Sequence, residues 1–277
     1  MQVDAHQHFW SFDEVEYGWI VDGGLDALKR SFLPADLAPI LEAHGVDGTI
    51  AVQARQTLAE TEWLLDLAAE HPWILGVVGW IDLVGGDVAA AVTRLRERPG
   101  GERLVGIRHV IRDEPAGFMD APAFRDGVRQ LGPLDLTYDL LIHERQAMEG
   151  VRFCAALDEQ RIVLDHFGKP RIKEGVLEPW AQAMGELGKM PHVSVKLSGL
   201  VTEADWERWT PEDLRPYIDV VMEAFGAERV MFGSDWPVCT LAADYEAVLS
   251  VAQPWTRAHG AQAARRAYGL TGPVKAP

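Results

Sequence analysis

The chain has 277 residues and a net charge of −16, from 42 acidic and 26 basic side chains. An apolar fraction of 48% and a charged fraction of 25% exclude a disordered chain and leave enough apolar material for a sizeable core. The acidic balance argues against a nucleic-acid groove or an anionic membrane surface, and two cysteines, Cys154 and Cys239, exclude a disulfide framework and a paired-cysteine metal knuckle.

The first residues, Met1-Gln2-Val3-Asp4, show no basic stretch followed by an apolar one, so no secretory signal is expected. No apolar run reaches the roughly 18 residues of a membrane span. With low cysteine use, the expectation is a cytoplasmic protein.

In chain order, apolar β-branched segments recur at 2–6, 46–53, 74–82, 104–110, 136–142, 162–166, 193–197 and 230–234. Successive starts lie about 25 to 45 residues apart, the length of a βα unit. Residues 18–33 read as an irregular loop in the first connection. Thr57-Leu58-Ala59-Glu60 has the form of a capping box, ahead of a helical stripe of Trp63, Leu64, Leu67 and Ala68. Further helices are expected at 87–98, 122–131, 180–187 and 244–252. Thr210-Pro211-Glu212-Asp213 opens another, with a cap, a first-turn proline and first-turn acids. Strict strand–helix alternation predicts a parallel sheet covered by helices. Eight such units without a linker predict an α/β fold with one closed (β/α)8 TIM barrel, spanning 1–277 as a single domain.

Barrel enzymes place their chemistry at the C-terminal ends of strands. The first strand ends in His6-Gln7-His8, and residues two apart on a strand face one side, so two imidazoles converge as metal ligation requires. The sixth ends in Asp165-His166 and the eighth in Ser234-Asp235-Trp236-Pro237. Taken singly, each of these is more often structural: a chance pair, a core histidine, a capped turn. Falling together at the ends of strands 1, 6 and 8, they predict a common site in which His6, His8, His166 and Asp235 are candidate metal ligands. His44, His71, His192 and His259 lie in loop or helix contexts and need no special role.

Five motifs in order make the resemblance specific. They are Asp4-Ala5-His6-Gln7-His8-Phe9-Trp10, Gly106-Ile107-Arg108-His109, Leu164-Asp165-His166-Phe167-Gly168-Lys169-Pro170, Lys196-Leu197-Ser198-Gly199-Leu200 and Phe232-Gly233-Ser234-Asp235-Trp236-Pro237. Together they resemble the sugar-lactonase branch of the amidohydrolase superfamily, over residues 3–270. The resemblance implies an amidohydrolase-type barrel that hydrolyses a sugar lactone, a cyclic carboxylic ester, to its aldonic acid. Asp235 would be the general base, with His166 together with Arg108, or a bound metal, holding the developing oxyanion.

Binuclear members of the superfamily bridge two metals with a lysine or glutamate on strand 4. Here that strand offers Arg108 and His109, and a guanidinium cannot ligate a cation. At most one divalent metal is therefore expected, zinc if any. A metal-independent enzyme stays open, since the branch is similar to relatives of both kinds. Arg108 has a plainer reading as an ion pair, for instance with Asp82. His143 either matches the superfamily's strand-5 histidine or is a surface residue beside Glu144-Arg145-Gln146. Gln53, Arg55 and Trp80, at matching heights on strands 2 and 3, and Trp236 beside the site, are candidate substrate contacts, each as readily packing. Lys196 is odd in a buried strand, and a salt bridge to a mouth carboxylate is its simplest account.

A small-molecule lactone is the expected partner, with no nucleic acid and no membrane, and a homo-oligomer is left open. Two other functions stay open: a metal-dependent decarboxylase on the same barrel, and a non-catalytic sugar-acid binding protein.

Overall fold

Eight β-branched segments separated by capped helices leave the chain one economical arrangement, a parallel sheet closed on itself inside a ring of helices. The computed structural model describes residues 2–23 and 25–271. The strands are β1 (Val3–Gln7), β2 (Gly48–Val52), β3 (Ile74–Gly79), β4 (Leu104–Val110), β5 (Thr137–Leu141), β6 (Ile162–Leu164), β7 (Val193–Leu197) and β8 (Val230–Phe232). They pair in parallel in sequence order. The helices are α1 (Gly18–Asp22), α2 (Pro34–His44), α3 (Leu58–Glu70), α4 (Val88–Arg96), α5 (Pro122–Arg129), α6 (Ala147–Ala155), α7 (Trp180–Gly188), α8 (Pro211–Phe225), α9 (Tyr245–Thr256) and α10 (Gly260–Tyr268).

The seam between β8 and β1 is closed by residues beyond the end of β8. The Asp235 N–H donates to the His6 carbonyl at 2.8 Å, and the His8 N–H donates to the Trp236 carbonyl at 2.7 Å. All eight expected strands form. Those read to 53, 82, 166 and 234 stop at Val52, Gly79, Leu164 and Phe232, because the polar residues that follow leave the ladder and turn into the barrel mouth.

Two local expectations are corrected. Residues 18–33 are not wholly irregular: α1 and a 3-10 turn at Asp26–Leu28 form there, with Ile20 and Leu28 fully buried. The capping box at Thr57 is only half made. The Thr57 side chain accepts the Glu60 N–H at 3.2 Å, but Glu60 turns its carboxylate to the N–H groups of Ala54 and Arg55 and to the Tyr17 hydroxyl. A longer-range demand has captured the partner that local geometry would have used. The reciprocal box at Thr210 and Asp213 does form.

Outward strand residues such as Ile107, Tyr138 and Val195 pack under the helices. A second apolar cluster fills the barrel interior, where Val52, Val78, Val163 and Met231 meet Ala263, Ala264 and Ala267 of α10. This helix lies across the N-terminal end of the strands: Thr137, the first residue of β5, donates its hydroxyl to the Ala267 carbonyl at 2.6 Å.

Candidate active site

The site begins with an irregularity in β1. Its register against β2 runs Asp4 to Thr49 and then Gln7 to Ala51, so one extra residue is accommodated on β1. Asp4 holds the bulge, accepting the N–H groups of His6 at 3.1 Å and Ser234 at 2.9 Å and the Tyr245 hydroxyl at 3.0 Å. Burial pushes its carboxyl up to about 6. Gly233 lets the backbone of β8 come this close, because a Cβ there would sit 2.6 Å from the Cβ of His6. The His6 and His8 Nε2 atoms end 3.2 Å apart.

His166 arrives by a different device. His166, Phe167, Gly168 and Lys169 have φ of 51°, 56°, 68° and 52°, a turn of left-handed backbone. For residues with a Cβ this costs about 1–2 kcal/mol each. Tertiary bonds offset it: the Trp180 indole donates to the Phe167 carbonyl at 2.6 Å, and Lys169 pairs with Glu203. His166 Nδ1 lies 2.8 Å from the Ser198 hydroxyl. Gly199 follows at φ +63°, where a Cβ would stand 2.6 Å from His166 Nδ1. Asp235 is also left-handed, at φ 58°. Non-glycine strain of this kind gathers where a side chain must be aimed.

Beneath these residues lies an ionic layer. Asp165 accepts from Arg108 Nη1 at 2.9 Å and lies 2.9 Å from Lys196 Nζ and 3.3 Å from His6 Nδ1. Lys196 also donates to Asp139 at 2.5 Å, and Tyr268 of α10 donates to the same carboxylate. Burial would raise Asp165, but Lys196, His6 and Arg108 outweigh it and hold the carboxyl well below its usual range. Asp139 is pushed up to about 6 by burial, against the pull of Lys196. The salt bridge expected for Lys196 is thus present and doubled. Arg108 does form an ion pair, with Asp165 and not with Asp82.

His8 Nδ1 lies 2.7 Å from the Val52 carbonyl and donates to it, which turns Nε2 toward the site. Its Nε2 is 3.3 Å from Asp235 Oδ1, and His6 Nε2 is 3.7 Å from the same oxygen. Ligands about 2.0–2.1 Å from a tetrahedral zinc ion are separated by roughly 3.3 Å, so these three atoms fit a single ion. His166 Nε2 stands further out, 3.9 Å from Asp235 Oδ1. A second grouping of His6, Asp165 and His166 is also close enough to share an ion, but both groupings use His6. His143 belongs to neither and lines a separate surface cavity.

Burial, helped by Lys196, holds the His6 imidazole well below its ordinary value, and burial does the same to His166, so both rings are neutral. Burial works against ionisation of Asp235, yet His166, His8 and Lys169 keep it below the usual carboxylate range. The site therefore pairs an ionised carboxylate with neutral imidazoles.

A cavity of about 290 Å³ opens over this cluster and is walled by His8, Arg108, His166 and Asp235. Arg55 joins them, paired with Glu16. The other three expected substrate contacts do not reach the wall. Gln53 is buried and donates to the Arg108 carbonyl. Trp80 turns its indole N–H to His109 at 3.4 Å. Trp236 is packed edge-on between Phe9 and Phe32. Equal height along a strand did not distinguish wall from packing. The sequence reading also passed over Asp165, Lys169 and Trp19. The first two lie inside a quoted motif, which was the available signal, and Trp19 gave none.

A closed (β/α)8 barrel with imidazoles, a carboxylate and an arginine converging at its C-terminal mouth defines a barrel enzyme. The chain matches the family described as Amidohydrolase over residues 3–271, and it belongs to that family. It is 42% identical, over 96% of its length and 92% of the relative's, to an L-fucono-1,5-lactonase of Burkholderia multivorans. It is 38% identical, over 97% and 92%, to an L-fucono-1,5-lactonase of Burkholderia ambifaria. Among solved structures, a Burkholderia multivorans amidohydrolase with bound zinc superposes with a TM-score of 0.92 at 41% identity, covering 98% of this chain and 100% of that one. Among the described residues, no helix is long and apolar enough to cross a membrane.

Proposed function

We propose that this protein hydrolyses a sugar lactone to its aldonic acid at the mouth of its barrel. The observation that carries the reading is the ionised Asp235 on a cavity wall with the imidazoles of His8 and His166, and the buried His6 ring 3.7 Å from its carboxylate. The lactonase names of relatives covering nearly the whole chain supply the substrate class. An L-fucono-type 1,5-lactone is the first substrate to test.

Asp235 takes a proton from the attacking water as the new C–O bond forms at the lactone carbonyl. Its Oδ1 faces the histidines, which leaves the second oxygen for the proton. The carbonyl oxygen gathers negative charge. Arg108 holds both terminal nitrogens in place, on Asp165 and on the Gln53 carbonyl, while its buried Nε–H has no hydrogen-bond partner and is free to donate. With the Ser198 hydroxyl donating to Nδ1, neutral His166 offers an Nε2–H to the same oxygen. The carbon–ring-oxygen bond then breaks, and protonated Asp235 returns its proton to the departing alkoxide. Water, lactone and proton balance in the open-chain hydroxy acid.

His6, His8 and Asp235 would hold a zinc ion. When bound, the ion lowers the pKa of a water and polarises a carbonyl. A second ion is disfavoured, because both groupings draw on the one His6 and Asp165 is already held by Arg108 and Lys196. We read the chain as one catalytic domain over 1–277, acting in the cytoplasm, a placement supported by two buried free cysteines.

The test is acid release from a panel of aldonolactones, followed with a pH indicator, with and without chelator, alongside metal analysis. Acid release from a 1,5-aldonolactone and no more than one ion per chain is the expected result. No release from any lactone sinks the reading, and two ions per chain sink the single-metal assignment.

A further inference from the structure

Apart from histidines, the wall of the active-site cavity carries one aromatic side chain among the described residues, Trp19 of α1. Its indole N–H is buried and has no hydrogen-bond partner. Other indoles of the chain are satisfied by backbone carbonyls: Trp10 by Arg30 at 2.8 Å, Trp180 by Phe167 at 2.6 Å and Trp209 by Ala242 at 2.9 Å. A buried donor left unmade lowers stability, so an unpaired N–H on a cavity wall points to an acceptor that the cavity receives.

The segment bearing Trp19 is held in place. Its ring meets Trp10 edge to face, with centroids 5.9 Å apart at 84°. Just before it, Glu16 pairs with Arg55 and the Tyr17 hydroxyl donates to Glu60 at 3.1 Å, which docks the segment on the loop after β2 and the first turn of α3. The same wall includes the guanidinium groups of Arg55 and Arg112, whose Nε atoms face carboxylates, Glu60 at 4.0 Å and Asp113 at 3.5 Å. The wall therefore carries an unpaired indole N–H together with two guanidinium groups. A polyhydroxylated ring matches this, with oxygens for the donors and a C–H face for the indole. An unsubstituted lactone offers only its ester oxygens.

Resting on the lactonase reading, we propose that Trp19 is a specificity-determining residue that selects hydroxylated lactones, its indole N–H donating to a ring hydroxyl. Trp19 makes the same bond in the ground state and the transition state, so its loss weakens binding and leaves turnover unchanged.

The experiment is steady-state kinetics of wild type, Trp19→Phe and Trp19→His on the best aldonolactone and on δ-valerolactone, with thermal melts of each. Trp19→Phe keeps an aromatic ring and removes the donor. Its KM for the aldonolactone should rise about five- to tenfold, the range of one lost hydrogen bond, with kcat within about twofold. Its KM for δ-valerolactone should stay within about twofold. Trp19→His, which keeps a ring N–H, should recover part of the aldonolactone KM. Equal changes on both lactones, no change on either, or no recovery in Trp19→His while it melts like wild type would each overturn the proposal. Should Trp19→Phe fail to fold, Trp19→His decides alone, by whether its aldonolactone preference survives. A wild type that hydrolyses neither lactone removes the lactonase reading instead. Aldonic-acid binding to wild type and Trp19→Phe by calorimetry then still tests Trp19, with equal affinities overturning it.

Discussion

The two ends of the barrel are built from the same eight strands and differ in almost every physical respect. At the N-terminal end the interior is apolar, and alanines 263, 264 and 267 of α10 cover it. At the C-terminal end it is ionic. Of the five non-glycine residues with left-handed φ among the described residues, four lie there: His166, Phe167, Lys169 and Asp235. The Asp139, Asp165 and Lys196 layer separates the two regions. One end is free to minimise its energy, and the other holds neutral imidazoles, an ionised carboxylate and strained backbone in place because the first end is stable enough to support them.

The sharpest way to break this comparison is Asp235→Asn. The amide preserves shape and removes the basic oxygen. A general base contributes about 10²–10⁴-fold, so kcat should fall by that factor with KM little altered, while the melting temperature stays within a few degrees. An enzyme retaining more than about a tenth of wild-type kcat would move the base to another residue.

The opposite variant belongs to the interior of the base. Ile50 is fully buried in the inner cluster. Ile50→Ala should cost about 2–5 kcal/mol by transfer loss and cavity formation, yet leave kcat within about twofold where the protein remains folded. Denaturant unfolding and kinetics on one sample measure both. A large kcat loss in a folded Ile50→Ala protein would mean the ends are coupled more tightly than the ionic layer suggests.

How far this division was legible in the sequence depends on the range of the interactions involved. The strands were, because β-branched runs and their spacing are local properties. His6, His8, His166 and Asp235 were, because each sits where a strand runs out. Arg108 was legible as a residue type but not in its partner, since Asp165 is 57 positions away. Trp19 was not, since Tyr17 and Glu16 fasten its segment to Glu60 and Arg55 across the fold. Gln53, Trp80 and Trp236, each read as either a substrate contact or packing, lie off the cavity wall, because strand position gives height in the barrel, while wall or packing is decided by neighbours on other strands.

Glu60, behind the mouth, offers a test by pH. Burial pushes its carboxyl up to about 7 from 4.5, against the N–H groups of Arg55 and Ala54. The folded protein therefore holds this proton more tightly than the unfolded chain. The stability it contributes is complete below the unfolded value and is lost as pH rises through the folded one. Each tenfold difference in proton affinity between the two states is worth about 1.4 kcal/mol, so stability should fall by up to a few kcal/mol between about pH 5 and pH 8. The melting temperature should fall with it. Glu60→Gln should flatten that part of the profile relative to wild type. Parallel profiles for the two proteins would show that Glu60 is ionised in the fold throughout.

The smallest expected effect is Arg108→Lys, and it separates charge from geometry. Arg108 binds Asp165 with one terminal nitrogen and the Gln53 carbonyl with the other, and these contacts aim its Nε–H. A lysine keeps the positive charge opposite Asp165 and loses the planar fork. Removing an oxyanion donor outright costs about 10²–10³-fold. Because lysine retains the electrostatic share, kcat should fall only about tenfold, below the loss for Asp235→Asn. The Gln53 carbonyl loses its charged donor, so the melting temperature should drop by several degrees, an amount consistent with about 1–3 kcal/mol for one buried unsatisfied group. A kcat equal to wild type would show that charge at this position suffices and that the oriented Nε–H does nothing. A fall matching Asp235→Asn would assign Arg108 a role in proton transfer or in holding His6, and Arg108→Met would tell these apart. By removing the charge as well, it leaves Asp165 to Lys196 and His6 alone. If Arg108 acts by positioning His6, the zinc affinity of Arg108→Met should shift along with its rate.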